Sequence, residues 1–260
     1  MQYVDVHCHL DSSFYNKDID SVVLRAKENK VKAIAAGINP ETNRQVLSLR
    51  EKYPDVICAS LGIYPPDALK KEGECSGFRL DLDYDIDDEI KFIYENRANI
   101  VAVGEVGMDF KDGSDFDGQE KIFRKTIGLA ISLDKTLVVH SRKAEQKVIE
   151  ILEGYNYKRI VMHCFCGKHA LVKRVRDNQW HLSIPASAVR DEHFQQMIKE
   201  TPLHLLLTET DSPFLSPFKG VRNEPSFVME TVKLFSRLRN IPEEDVANIL
   251  FKNARRVFGI

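Results

Sequence analysis

Eight short runs of β-branched or apolar residues recur along the chain, at residues 3–7, 31–37, 56–61, 100–105, 136–140, 159–163, 180–184 and 204–208. Each is followed by a polar or turn segment and then by residues spaced for a helix. Residues 18–29 place Val22, Val23 and Ala26 on one side, and 41–52, 118–133 and 144–154 repeat that spacing. Asn39-Pro40-Glu41 marks a helix start, with proline in the first turn where its missing N–H costs nothing. Eight units in 260 residues average 32.5 residues each, the size of a strand-helix repeat. The runs are nearly continuous in apolar character, as parallel strands buried on both faces require. The pattern predicts a single (β/α)8 TIM barrel over residues 1–260, with an open doubly wound sheet as the alternative. One stretch breaks the rhythm. Residues 66–88 are polar and acidic, and are expected to form an elaborated loop over the active face or a disordered segment.

A chain of this length buries a core large enough to stand without disulfides or a structural metal. Five cysteines, an odd number, argue against a disulfide framework and for a reducing compartment. Residues 1–5 carry an acid where a secretory leader would be basic, and no run of about 18 apolar residues occurs. A cytoplasmic protein with no membrane partner is expected. The charge balance, 37 − 39 = −2, provides no global footprint for coating nucleic acid, so such a partner must meet a local pocket.

The titratable residues fall where strands end. His7 and His9 close the first run, and residues two apart in a strand share a face, so both imidazoles are expected to point into the barrel with Cys8 turned outward. Glu105 ends the fourth run, His140 the fifth and His163 the sixth, and Asp211 follows the eighth. A lone histidine beside an apolar run is ordinarily structural, which is how His169, His181, His193 and His204 read. Four imidazoles and two carboxylates at strand C-termini are different, because barrel active sites are built there. Such a set suits zinc, manganese or magnesium. Six ligands are too many for one catalytic ion that keeps a position open, so two divalent ions are expected, with Glu105 the natural bridge.

The chain also resembles the TatD-type metal-dependent deoxyribonucleases. The matching motifs are VDVHCHLD (residues 4–11), GEVGMDF (104–110), VVHSRKA (138–144), MHCFCG (162–167), TETDSPFL (208–215) and RNEP (222–225). That resemblance implies a barrel hydrolysing phosphodiesters with divalent metals, and implies His7, His9, Glu105, His140, His163 and Asp211 as ligands. In two places the chain departs from the family pattern. Tyr64 stands where the family often has histidine after the third strand, so its hydroxyl is a candidate substrate contact. Cys166 stands where serine is common, and the Cys164–Cys166 pair is a minor candidate for thiolate ligation.

Among supporting residues, Glu209 is two before Asp211 and could orient a ligand or an attacking water, or form a salt bridge inside the barrel. Arg142 and Lys143 follow His140 and could hold a phosphate oxygen, or simply face solvent, and Arg222 is a similar candidate. Three function classes remain at this point. The first is a two-metal deoxyribonuclease acting on DNA ends, exonucleolytic on single strands or 3′ termini, with Asp211 and Glu105 as catalytic residues. The second is an amidohydrolase of C–N or ester bonds, disfavoured because a lysine bridge would sit on the fourth strand and residues 100–110 contain none. The third is a metal-stabilised binding module without catalysis.

Overall fold

The computed structural model describes residues 1–10, 12–65 and 84–260. Eight parallel strands run in chain order: β1 (Tyr3–Cys8), β2 (Val31–Gly37), β3 (Ile57–Leu61), β4 (Ala102–Gly107), β5 (Thr136–His140), β6 (Ile160–Met162), β7 (His181–Ile184) and β8 (Leu206–Thr208). β8 returns beside β1. The Thr208 hydroxyl donates to the Val4 carbonyl at 2.7 Å, the Asp211 amide to His7 at 3.0 Å and the His9 amide to Ser212 at 2.7 Å. The expected (β/α)8 barrel is the observed fold.

Two apolar layers hold it. Val4, Val6, Ile34, Ala102, Val138, Val161 and Leu207 fill the barrel interior, where Ala254, Val257 and Phe258 of the last helix (Glu243–Phe258) join them. The Thr136 hydroxyl, at the start of β5, donates to the Val257 carbonyl at 2.5 Å, so the end of that helix closes the N-terminal side of the barrel. The second layer lies between the strands' outer faces and the helices, and includes Cys8, Val103, Val106, Val139 and Met162.

Helix starts follow from local chemistry. Asn39 accepts from the Thr42 amide and Thr42 bonds back, a reciprocal cap ahead of Pro40–Lys52. Asp85 caps Ile86–Glu95, with Asp87, Asp88 and Glu89 in its first turn, where the helix dipole favours negative charge. The acidic stretch expected to be loop over 66–88 is therefore helix from residue 86, and residues 66–83 lie outside the described residues. The eighth strand is also shorter than the expected run 204–208. Leu203–Leu205 forms a 3-10 turn, held where the Asn253 amide donates to the carbonyls of Leu203 (2.7 Å) and Leu206 (2.9 Å).

Two irregularities aim the site. Between Asp5 and Cys8, β1 spends three steps against two on β2, and between Val103 and Val106, β4 does the same against β5. Each bulge inserts one residue and resets which side chains face inward. Val6 and His7 thereby both turn to the interior, and Glu105 swings to the C-terminal opening.

Candidate active site

Glu105 sits at the centre, nearly buried, and its two oxygens face different partners. Oε2 lies 3.4 Å from His7 Nε2 and 3.3 Å from His9 Nε2. Oε1 lies 2.7 Å from His140 Nδ1 and 3.2 Å from His163 Nε2. Asp211 Oδ1 completes the first group, 3.6 Å from His7 Nε2 and 3.5 Å from His9 Nε2. All six residues expected at strand ends are brought together.

Close backbone approach makes this possible. A β-carbon at Gly62 would overlap the Glu105 carbonyl oxygen, and one at Gly107 would overlap that of His140. Gly107 also has φ +140°, a conformation open chiefly to glycine. Asp211 itself is left-handed, with φ +53°. Aspartate tolerates that region better than most residues, and such backbone strain collects at functional sites. Asn223, buried in the RNEP motif, braces the turn by donating to the carbonyls of Thr210 (2.8 Å) and Phe214 (2.6 Å). Asp5, fully buried, ties β1 to the same turn, accepting from the Thr210 amide at 2.8 Å and hydroxyl at 2.5 Å.

The electrostatics are those of a dense ion cluster. Burial alone would raise the Glu105 carboxyl, but His163, His140 and His7 outweigh it and hold that group well below the usual carboxylate range. Against the same cost of burial, Asp211 and Glu105 push His9 up to about 10, and Asp109 and Glu105 push His140 up to about 9. Burial, reinforced by His163, lowers His7.

The donor set fits divalent metal. His7 Nε2 and His9 Nε2 face each other at 3.1 Å, closer than two N–H groups could stand, with a carboxylate oxygen on either side. Imidazole nitrogens and carboxylate oxygens converging in this way are the ligand chemistry of zinc and manganese. His7, His9 and Asp211 form one candidate group, and His7, Glu105 and His163 another.

A cavity of about 430 Å³ opens over the cluster. Arg142 lines it and is half-exposed, its guanidinium 2.7 Å from Asp112 Oδ2. Cys164 and Cys166 also line it, but neither belongs to the candidate metal groups among the described residues. Tyr64 also lines it, and its hydroxyl donates to Asp109 Oδ2 at 2.7 Å. Arg222 is not among the lining residues; its guanidinium lies over the Tyr15 ring and bonds Phe14 O (2.7 Å) and Asp18 Oδ2 (2.5 Å). Glu209 is buried behind His163, accepting from the Cys164 amide at 2.9 Å and the Ser183 hydroxyl at 2.5 Å.

Sequence reasoning missed Asp109, whose Oδ2 lies 2.9 Å from His140 Nε2. It lies inside GEVGMDF, four residues after Glu105, and that position was the available signal.

A profile of the TatD related DNase family matches residues 4–259. A metal-dependent hydrolase of Methanocaldococcus jannaschii is 34% identical over 258 residues, covering 99% of this chain and 97% of its own. The human deoxyribonuclease TATDN3 is 30% identical over 261 residues, covering 98% and 94%. The crystal structure of YJJV, a TatD homolog from Escherichia coli K12, superposes with a TM-score of 0.85 at 26% identity, covering 99% of this chain and 98% of that one.

Proposed function

The chain belongs to the TatD related DNase family, and from that premise we propose a metal-dependent hydrolase that cleaves phosphodiester bonds at the ends of DNA. The observation that carries this reading is the division of Glu105, with one oxygen turned to His7 and His9 and the other to His140 and His163. His7, His9 and Asp211 would hold one divalent ion, and His140 and His163 a second, with Glu105 shared between them. Zinc, manganese or magnesium bound there supplies positive charge that polarises the phosphoryl group and brings the acidity of water toward neutral pH.

The chain's own residues do the rest. Asp211 has its side chain 15% exposed toward the cavity, and takes the proton of the attacking water. Arg142 leaves Asp112 to fork onto a non-bridging phosphate oxygen. Phe214 and Leu215 wall the cavity and keep bulk water from the scissile bond. A space of about 430 Å³ takes a terminal nucleotide but no duplex, which favours exonucleolytic action on single-stranded or 3′ ends. Residues 1–260 act as one hydrolase domain in the cytoplasm.

Metal-reconstituted protein should be assayed against end-labelled single-stranded DNA, duplex DNA, RNA and a panel of amides. Release of mononucleotides from DNA ends supports the reading. Turnover of amides alone would move the chain to the amidohydrolase reading.

A further inference from the structure

Asp109 has no part in the chemistry above, yet it is fully buried and bonded at every polar atom. Its amide donates to Gln119 Oε1 at 2.7 Å, and its carbonyl accepts from Gln119 Nε2 at 2.9 Å. Oδ1 accepts from the backbone amides of Lys111 and Asp112, both at 2.8 Å. Oδ2 accepts from the Tyr64 hydroxyl at 2.7 Å and lies 2.9 Å from His140 Nε2. A carboxylate with donors on both oxygens has no proton of its own to give. The proton on the contact to His140 therefore sits on Nε2. That leaves Nδ1, 2.7 Å from Glu105 Oε1 and 3.4 Å from His163 Nε2, as the nitrogen turned toward the other candidate ligands.

We propose that Asp109 is the positioning residue that fixes His140 as its Nε2–H tautomer and presents Nδ1 to the ion shared with His163 and Glu105. Tyr64 acts through Asp109, not by offering its hydroxyl to substrate. This rests on the two-ion reading above. Metal-bound histidines commonly donate their other ring N–H to a carboxylate, which sets both tautomer and ring angle. Here the carboxylate comes from the loop after β4, the histidine from the end of β5 and the hydroxyl from just after β3. Three neighbouring strands of the barrel thus meet on one oxygen.

The test is a long-range proton–nitrogen NMR correlation on 15N-labelled, zinc-loaded protein, read together with zinc affinity from competition with a chelating dye. In the wild type, His140 Nε2 should carry the proton and Nδ1 should be shifted by zinc. Asp109→Asn keeps an oxygen for the two backbone amides but turns an NH2 group toward Nε2. It should weaken one of the two zinc ions by roughly 10- to 100-fold and leave the other unchanged. Tyr64→Phe should move the His140 Nε2 resonance while KM for an oligonucleotide stays constant.

Zinc on Nε2 in the wild type, which needs no variant to observe, overturns the assignment. So does an Asp109→Asn protein with both zinc affinities intact. A tenfold rise in KM for Tyr64→Phe with unmoved nitrogen resonances would make Tyr64 a substrate contact and remove it from the relay. If zinc never perturbs either His140 nitrogen in the wild type, the two-ion reading falls first and the positioning role falls with it.

Discussion

Glu209 stands behind His163, with Oε2 3.6 Å from Nδ1 and the side chain sealed from solvent. Asp211 is the neighbouring carboxylate that reaches the cavity. Only a group within hydrogen-bond reach of the attacking water can accept its proton.

Asp211→Asn keeps the shape and removes charge and basicity. Turnover should fall by about 10²-fold or more, with oligonucleotide binding little changed. Excess metal should restore occupancy without restoring rate. Glu209→Gln should lose less, since the amide can still accept from Cys164 N–H. Full rescue of Asp211→Asn by metal would show that Asp211 is a ligand only.

Glu105→Gln replaces the shared carboxylate with a neutral amide, a poor bridge between cations. Elemental analysis after reconstitution should drop from about two divalent ions per chain to one or fewer. Cys8→Ser is the contrasting variant. Its thiol packs in the outer layer, 3.5 Å from the Ile34 carbonyl, so activity should stay close to wild type. Equal losses in the two proteins would mean that the first strand is misassigned.

Removing metal should abolish turnover and leave the barrel folded. The candidate ligands are absent from both apolar clusters, and these carry the packing. Far-UV circular dichroism with and without a chelator is the measurement. Loss of the helical signal on chelation would make the metal structural.

Asn223→Ala leaves the carbonyls of Thr210 and Phe214 without their donor. Denaturant unfolding should show a loss on the order of 1–3 kcal/mol. The turn carrying Asp211 loosens as well, so kcat should fall more than KM rises. Unchanged kcat would separate the brace from the chemistry.

His181, at the start of β7, lies at the opposite end of the barrel from the candidate metal ligands. Burial, followed by Arg256 and His204, lowers it to about 4. The unfolded chain takes up this proton near pH 6.5 and the folded chain does not, so stability present above that pH is lost as pH falls toward 4. The loss is up to about 1.4 kcal/mol for each pH unit in that window. Thermal unfolding of His181→Gln against wild type should show a shallower acid slope; identical slopes would rule the group out.

The strand-helix rhythm and the gathering of six titratable residues at strand ends were legible because both follow from periodicity and from where barrels place their sites. The bulges were not. Simple alternation from Val4 turns His7 outward, and only the extra residue in β1 brings it in; register belongs to a pair of strands. The Tyr64–Asp109–His140 contact spans residues far apart in sequence, so no local pattern marks it. Arg222, the first residue of RNEP, looks like a phosphate ligand by composition, but the fold places Asp18 against it, and the residue of that motif that braces the site is the uncharged Asn223. Residues 86–88 show how an acidic run passes for loop when its charges are complementing a helix start.

Val257 and Phe258 shut the barrel at the end opposite the cluster, and the interior between is packed with side chains. The reaction chamber is thus a cul-de-sac. No strand can be fed through it as rope through a ring; under the proposed function an end would enter, be cut, and leave by the way it came. Departure of a product and arrival of the next bond would then share one opening.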